Sequence, residues 1–360
     1  MTERKVLVAV LNWGLGHAAR CVPLIRALID NGIRVVVASD GDALRLLRAE
    51  LPLLTYHELP SYAIRYSRTA AGMPWRLIMQ LPHVMKTISE EHQLINELVR
   101  KEKIHFIISD NRYGAYHPTI PSVWLGHQLH LIMPGGWTWL SGTVNRLHTN
   151  LINRFGAHWV PDLPGSPLSG RLSAFEKPVA YTGILSRFTV LDSLPDTSYA
   201  VVVVLSGPEP QRTLLEQKIR MQLPALPVRS LLVRGVPGND LVRAKENYDE
   251  VDFLTARPLN RVLAAAALVV ARSGYSTIMD LCALGKKALL IPSPGQAEQQ
   301  YLAELAMTRK FALVQQQDEL SLSQAWSQLS MISGFPLYKP DDRLQRLIHQ
   351  AILEHETVYQ

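Results

Sequence analysis

A chain of 360 residues exceeds the usual size of a single hydrophobic core, so two domains are expected. Apolar residues make up 47% of the sequence and charged residues 19%, a balance that favours packed globular domains and argues against disorder. The net charge of +6 arises entirely within residues 1–180. Two distant cysteines without metal or redox spacing favour a reducing, cytoplasmic environment. Neither a signal peptide nor a membrane-spanning helix is predicted.

Strand and helix patterns alternate from the N-terminus. The predicted elements of the first half are strands at 6–11, 34–38, 106–109 and 123–125, and helices at 18–30, 41–49 and 75–102. The alternation restarts with strands at 199–205, 231–233, 251–254, 268–270 and 288–291, and helices at 211–221, 259–266, 277–284 and 299–307. Such alternation predicts two α/β domains with mostly parallel sheets.

Prolines and aspartates interrupt the periodicity near residues 180–197, where we place the linker. The predicted domains are a Rossmann-like domain over 1–180 and a second over 181–345, followed by a helical tail over 346–360 that packs back on the first domain. Because ligands bind at the carboxyl ends of parallel strands, a central cleft between the two facing sheets is the expected site.

The most informative segment follows the predicted strand at 268–270. A turn of small residues leads into a helix that carries Asp280, and such a turn presents backbone N–H groups and a positive helix end to a diphosphate. A carboxylate at this position can accept hydrogen bonds from ribose hydroxyls. Glutamines after the next strand can contact a sugar, although a pair of exposed glutamines is the alternative. The candidate donor-binding residues are Arg272, Ser273, Gly274, Ser276, Thr277, Asp280, Gln296, Gln299 and Gln300.

Two earlier positions are further candidates for donor binding. Arg187 could neutralise a departing diphosphate. Ser206 and Gly207 open the first helix of the second half and could offer a hydroxyl and a backbone N–H. Pro208 removes one backbone donor, so this turn does not form a complete phosphate cradle.

A glycine-containing turn with a terminal histidine follows the first strand. Gly14 and Gly16 permit a tight turn and close backbone approach, and Gly16 is a candidate donor contact. Ala19 stands where the dinucleotide fingerprint needs its third glycine, which disfavours an NAD-dependent enzyme. The positive end of a helix disfavours a cation at His17, which is therefore a candidate catalytic base. A loop histidine that only bonds locally is the alternative.

Asp110 ends a predicted strand and should share a sheet edge with His17. A carboxylate there could orient the histidine, as in catalytic triads, although a turn or cap aspartate is the alternative. Arg112 could bind a phosphate of the donor or acceptor, or form a surface ion pair.

The segment between Leu59 and Ser89 has no acidic residue. Basic residues there alternate with large apolar ones, which suits an acceptor or an anionic membrane surface. A solvated loop and an ordinary amphipathic helix are the alternative. The candidates for this acceptor or membrane side are Arg65, Arg68, Trp75, Arg76 and Arg112. No nucleic-acid-binding motif accompanies the charge, so no nucleic acid partner is predicted.

No metal site is predicted. The sequence has no Asp-x-Asp dyad in a supporting context. His127 and His130 lack nearby carboxylate or cysteine partners.

Together these motifs resemble the MurG-like, family-28 glycosyltransferases of the GT-B fold. The segments Arg272–Asp280 and Gln299–Tyr301 follow that family's donor motif in order and spacing, with aspartate at 280 where the family usually has glutamate. Thr182–Arg187 is similar to the segment whose arginine meets the diphosphate, and Gly14–His17 to the N-terminal glycine loop. The second glycine loop of MurG is not apparent. Instead Asp110 resembles the histidine-assisting aspartate of plant-type GT-B transferases.

The resemblance implies a nucleotide-sugar donor domain at 181–345 and an acceptor-side domain at 1–180. It implies transfer of a hexose or N-acetylhexosamine from a UDP-sugar, with inversion, to an acceptor hydroxyl on a lipid or cell-envelope glycan. No cofactor or metal is expected beyond the UDP-sugar co-substrate. The expected location is cytoplasmic, with peripheral contact at the inner face of the membrane. A nucleotide-sugar epimerase of the same fold and a non-catalytic nucleotide-sugar-binding protein are the alternatives.

Overall fold

The computed structural model describes residues 4–63, 73–191, 199–236 and 238–353, and for 73–78 it describes only the backbone. The chain divides into two compact units. The first extends to Leu185 and includes the C-terminal segment from Pro340, and the second covers Ser186–Lys339. Each unit contains one seven-stranded sheet.

The sheet of the first unit is parallel throughout. Its strands are β1 (Lys5–Val10), β2 (Arg34–Ser39), β3 (Thr55–Glu58), β4 (Phe106–Asp110), β5 (Ser122–Leu125), β6 (Ala157–Val160) and β7 (Ala180–Tyr181). Their order is β3-β2-β1-β4-β5-β6-β7. The order reverses between β1 and β4, which is the position where doubly wound sheets bind ligands.

Four helices of the first unit precede its last strands. They are α1 (Leu15–Asp30), α2 (Gly41–Glu50), α3 (Met73–Glu102) and α4 (Ser141–Ile152). Gly14 precedes α1 with φ of +78°, a conformation that favours glycine, and so allows the chain to turn from β1 into the helix. The residues Val6–Val10 of β1 are fully buried, as expected for a parallel strand covered by helices on both faces.

The second unit repeats this arrangement. Its strands are β8 (Val201–Val204), β9 (Ser230–Val233), β10 (Arg243–Ala244), β11 (Tyr248–Val251), β12 (Leu268–Ala271), β13 (Ala288–Leu290) and β14 (Ala312–Val314). Their order is β10-β11-β9-β8-β12-β13-β14, in which the β10–β11 pair is antiparallel and the other pairs are parallel. The reversal lies between β8 and β12.

Helices α5 to α9 cover this second sheet and α10 returns to the first unit. Their bounds are α5 (Gln211–Gln222), α6 (Ala256–Ala265), α7 (Tyr275–Leu284), α8 (Ala297–Thr308), α9 (Leu322–Ser327) and α10 (Arg343–Ile348). α10 contacts α1 and β7. None of the helices described for the chain is long and apolar enough to cross a membrane.

The predicted α/β class with two mostly parallel sheets is confirmed. The sequence pattern did not predict seven of these elements, namely β3, β6, β7, β10, β14, α4 and α9. The pattern Thr55–Glu58 of β3 is polar and half exposed because it forms the sheet edge, so it lacks the apolar run of a central strand. The strand predicted at 251–254 begins earlier, at Tyr248, because β11 pairs with β9 from that residue.

Candidate active site and donor site

His17 lies in the first turn of α1, directly after β1. Its side chain is 16% exposed, so the ring is held by the protein but still reaches solvent. Its Nδ1 atom lies 3.0 Å from Oδ1 of Asp110. If Nδ1 carries the proton and donates it to Asp110, Nε2 keeps the lone pair that can accept a proton.

Asp110 is the last residue of β4, and its backbone pairs with Val10 at the end of β1. The carboxylate is fully buried. Burial opposes its ionisation, but the Arg20 cation and the hydrogen bonds from Arg20 and His17 outweigh burial and hold the pKa of Asp110 well below its usual range. Asp110 is therefore a fixed anion beside His17.

The sequence analysis missed the residue that binds Asp110 most closely. Arg20 lies one turn after His17 on α1, and its guanidinium is buried. It donates from Nε to Oδ2 of Asp110 at 3.1 Å and from Nη2 to Oδ1. Its Nη2 also lies 3.0 Å from Nδ1 of His17, and Nη1 lies 3.3 Å from Nδ1 of His127. The i, i+3 spacing from His17 is the sequence signal that places Arg20 on the same helix face.

Arg112 does not occupy the acceptor position predicted for it. Its side chain is fully buried and ion-paired to Glu91 and to Asp40, the latter at 2.7 Å. It also donates to the carbonyl oxygens of Val10 and Pro60. The prediction of a phosphate ligand or surface ion pair was wrong because these acids approach Arg112 only in the folded chain.

The other candidates for the acceptor or membrane side cannot be placed. Arg65 and Arg68 lie outside the described residues. Trp75 and Arg76 fall in the first turn of α3, where the backbone alone is described. Their proposed role remains a prediction.

In the second unit, Asp280 lies in the second turn of α7 and accepts a hydrogen bond of 2.5 Å from Oγ of Ser186. Burial raises its pKa to about 6, although the Ser186 hydrogen bond and the nearby Arg187 cation act in the opposite direction. Arg187 also lies over the ring of Phe188. Asp280 and Arg187, both predicted to bind the donor, are thus close together, and Ser186 is a neighbour that the sequence analysis missed.

Three neighbouring strands of the second sheet end beside one another. Val204 of β8, Ala271 of β12 and Leu290 of β13 are in register. The turns that follow β8 and β12 therefore begin at the same sheet edge, and they carry the predicted donor residues Ser206, Gly207, Ser273, Gly274, Ser276 and Thr277.

The turn after β8 is exposed, and Gly207 has φ of +100°, which strongly favours glycine. Ser293, in the turn after β13, has a buried hydroxyl without a hydrogen-bond partner among the described residues. A Cβ atom added to Gly207 would lie 3.8 Å from that hydroxyl oxygen. The two turns are therefore close enough to contact one small ligand.

The turn after β12 leads into α7 through Gly274. At this N-terminal end of the helix no side chain caps the backbone N–H groups. Ser276 and Thr277 in the first helical turn are partly exposed. A helix N-terminus of this form leaves backbone N–H groups suited to an anion.

The side chains of two residues in the turn after β12 form hydrogen bonds to other parts of the protein. Arg272 is 1% exposed and donates to main-chain oxygens of Ile291, Pro292 and Gln211 and to the side chain of Gln317. Burial lowers its pKa to about 10. Ser273 is buried and donates to the Gln299 carbonyl oxygen. The Arg272 and Ser273 side chains are thus bonded within the protein, and the binding of a donor by this turn stays a prediction.

The predicted glutamines divide in the same way. Gln299 is buried, accepts from the backbone N–H of Ser293 at 2.8 Å and donates to the Gln296 side chain. Its amide therefore fixes the turn before α8, and its contact with the sugar stays a prediction. Gln296 and Gln300 are partly exposed and remain candidates.

The part of the chain that the structure describes contains no group of three or more histidine, cysteine, aspartate or glutamate side chains that could hold a metal ion. Gly16, the remaining candidate, lies inside the first turn of α1 next to His17.

Most of the second unit matches a known protein family. Residues 203–345 match the family model described as the glycosyltransferase family 28 C-terminal domain. This part of the chain is therefore similar to the C-terminal domain of family 28 glycosyltransferases. The match includes all the predicted donor residues except Gly16 and Arg187.

Relatives cover the rest of the chain as well. The chain is 27% identical over 327 residues to a UDP-N-acetylglucosamine–N-acetylmuramyl-(pentapeptide) pyrophosphoryl-undecaprenol N-acetylglucosamine transferase of Methylobacterium sp. strain 4-46, with 85% of this chain and 82% of that protein covered. With the family 28 domain, this similarity confirms the predicted glycosyltransferase and its MurG-like character.

Solved structures show the same fold. MurG of Acinetobacter baumannii superposes with a TM-score of 0.60 at 13% identity, covering 97% of this chain and 99% of that one. The spinosyn rhamnosyltransferase SpnG superposes with a TM-score of 0.65 at 16% identity, covering 96% and 99%. The predicted GT-B fold is thereby confirmed.

Proposed function

We propose that this family 28 glycosyltransferase moves an N-acetylhexosamine or hexose from a UDP-sugar to a hydroxyl of a lipid-linked acceptor, with inversion and without a metal ion. The observation that carries the proposal is the family 28 match over residues 203–345, which contains the α7 turn and Asp280. The Methylobacterium relative is named for transfer of N-acetylglucosamine to an undecaprenol-linked acceptor, which supports the choice of donor and acceptor class.

The second unit would bind the donor. The N-terminus of α7 and the turn at Ser206 and Gly207 suit the diphosphate, because they combine backbone donors with a positive helix end. The unpartnered Ser293 hydroxyl beside Gly207 adds a further group for this ligand. Asp280 would accept hydrogen bonds from the ribose hydroxyls, and Arg187 would offset the charge of the departing diphosphate.

The first unit would supply the base. Nε2 of His17 takes the proton of the acceptor hydroxyl while that oxygen bonds to the anomeric carbon. The bond between this carbon and the diphosphate oxygen breaks, and UDP leaves with the electron pair. Attack from the face opposite the leaving group gives inversion. Asp110 stabilises the imidazolium that forms, as its low pKa and hydrogen bond to His17 allow.

The acceptor assignment leads to a location. An enzyme acting on a lipid-linked acceptor at the inner face of a membrane works as a peripheral protein. The basic and apolar residues Arg65, Arg68, Trp75 and Arg76 are the proposed contacts with the acceptor or the membrane surface.

The deciding experiment incubates the chain with a panel of nucleotide sugars, with and without a bacterial membrane-lipid extract. Released nucleotide and glycosylated lipid are then quantified. UDP release that depends on both UDP-N-acetylglucosamine and lipid would support the proposal. Interconversion to an epimer without lipid would replace it with an epimerase, and donor binding without any turnover would replace it with a binding protein.

A further inference from the structure

Arg20 makes an unusual set of contacts next to the proposed base. It lies three residues after His17 on α1, and both side chains reach Asp110. The same oxygen, Oδ1 of Asp110, accepts from Arg20 and lies 3.0 Å from Nδ1 of His17. Nη2 of Arg20 lies at the same distance, 3.0 Å, from that nitrogen. Nδ1 of His17 therefore has an acceptor and a donor within hydrogen-bond reach at once.

A neutral imidazole cannot satisfy both neighbours. If Nδ1 carries the proton, it donates to Asp110 and Nε2 keeps a lone pair. If Arg20 donates to Nδ1, the proton must be on Nε2, because a guanidinium is always a donor. Only the first tautomer can take a proton from an acceptor hydroxyl at Nε2.

We propose that Arg20 is a positioning residue that sets which ring nitrogen of His17 carries the proton. It thereby sets the fraction of protein molecules in which His17 can act as a base. This inference rests on the proposed role of His17. Arg20 has two opposing effects. Its bonds to Asp110 keep the carboxylate ionised and oriented, which favours the Nδ1–H form. Its Nη2 donor, which lies 3.0 Å from Nδ1, favours the Nε2–H form.

Two other ionisable side chains contact the pair formed by Arg20 and Asp110. Cys21 donates from Sγ to Oδ2 of Asp110 at 3.1 Å, and burial and the Asp110 charge raise the pKa of its thiol well above the usual value. It therefore stays a neutral donor. Nδ1 of His127, which follows β5, lies 3.3 Å from Nη1 of Arg20. Arg20 therefore acts on both histidines.

The test measures the tautomer directly and needs no turnover. The full-length chain is labelled with ¹⁵N-histidine, and the His17 signals are identified by their loss in His17→Ala. The ¹⁵N shifts of Nδ1 and Nε2 report the tautomer ratio. We expect both forms in the wild type, a move toward Nδ1–H in Arg20→Gln and Arg20→Lys, and a move toward Nε2–H in Asp110→Asn. Arg26→Gln is the matched control on the same helix, because Arg26 is half exposed and pairs with Glu50.

The outcomes separate this inference from the proposed function. A wild-type His17 that is entirely Nδ1–H and unchanged in Arg20→Lys would overturn the inference, as would variants that lower Tm without moving the tautomer ratio. If Arg20→Gln does not fold, Arg20→Lys and the wild-type spectrum still decide. If no transfer is found with any donor, the proposed function fails, while the ¹⁵N shifts still settle the role of Arg20.

Discussion

Two aspartates, the buried Asp110 of the first unit and the partly buried Asp280 of the second, have pKa values displaced in opposite directions. Asp110 in the first unit is surrounded by Arg20, His17 and a thiol, and its pKa lies below the usual range. Asp280 in the second unit is bonded to the Ser186 hydroxyl, and its pKa is raised to about 6. Burial acts on both in the same direction, so the difference lies in their partners: two direct hydrogen bonds from a guanidinium for one carboxylate, a hydroxyl bond for the other.

The difference fits the two roles proposed here. Asp110 has all its neighbours in place and needs no ligand to stay charged, as suits a group that orients a base. Asp280 is under-stabilised as an anion, and a ligand that donates hydrogen bonds, such as a ribose diol, would stabilise it. The raised pKa of Asp280 therefore supports its proposed role as an acceptor for the ribose hydroxyls.

The largest effect is expected when His17, the proposed base in the first unit, is removed. His17→Ala should reduce the rate of sugar transfer by about 10²–10⁴-fold, because the general base is lost. The donor dissociation constant should change little, since all the proposed donor residues except Gly16 are in the second unit. The measurement is kcat with saturating donor and lipid acceptor.

His105→Ala is the matched control for this variant. His105 is exposed and lies just before β4, at the amino end of the strand that carries Asp110 at its other end. Transfer at the wild-type rate by His17→Ala would remove His17 from the mechanism.

The second prediction compares the stability of the two carboxyl variants at pH 7.5. Asp110→Asn should lower the free energy of unfolding by roughly 3–5 kcal/mol, because it leaves the buried Arg20 cation without its counter-ion. Asp280→Asn should raise it by roughly 1–3 kcal/mol, because the folded chain no longer holds a poorly solvated anion. Urea unfolding of both variants gives the two values.

The sign for Asp280 follows from its raised pKa. The folded chain binds a proton that the unfolded chain releases between about pH 4 and pH 6. Wild-type stability therefore falls as pH rises through this window, and the gain in Asp280→Asn should disappear below about pH 4. Equal and same-signed changes in the two variants would contradict the contrast between the aspartates.

The third prediction concerns donor binding. Asp280→Ala should weaken the affinity for a UDP-sugar by about 10–100-fold, the effect of losing hydrogen bonds to a charged group. Isothermal titration with UDP-N-acetylglucosamine gives the dissociation constant. Asp318→Ala is the control, since its side chain is 89% exposed and paired only at the surface with Lys218. An unchanged constant in Asp280→Ala would exclude the ribose role.

The smallest effect is a pH dependence of the same binding. Donor affinity should fall by up to about tenfold as pH is lowered from 7.5 to 5, because protonation of Asp280 removes the acceptor charge. The diphosphate of a UDP-sugar does not titrate in this range. Asp280→Asn should bind weakly and with little pH dependence. A wild-type affinity that is constant over this range would show that the Asp280 charge does not contribute.

The sequence predicted the fold and part of the sites for identifiable reasons. Strand ends can be read from apolar periodicity, and the carboxyl ends of parallel strands share an edge, so the proximity of His17 and Asp110 followed from chain order. The sequence pattern could not show that the side chains of Arg112 and Arg272 are bonded within the protein. Their partners are remote in sequence: Asp40 is 72 residues from Arg112, and Gln317 is 45 residues from Arg272. The sequence pattern predicts that a side chain lies at a sheet edge. It does not predict whether other residues of the protein already bind that side chain.

The bonds of Arg112 also bear on how the first unit folds. Its guanidinium joins the end of β1 through Val10, the start of α2 through Asp40, the segment after β3 through Pro60, and α3 through Glu91. A partly assembled unit that lacked any of these segments would bury a cation with incomplete compensation. Such intermediates are raised in free energy, so these segments should gain and lose their structure together. Hydrogen exchange should then show one common opening energy for β1, β4 and the α3 turn around Glu91.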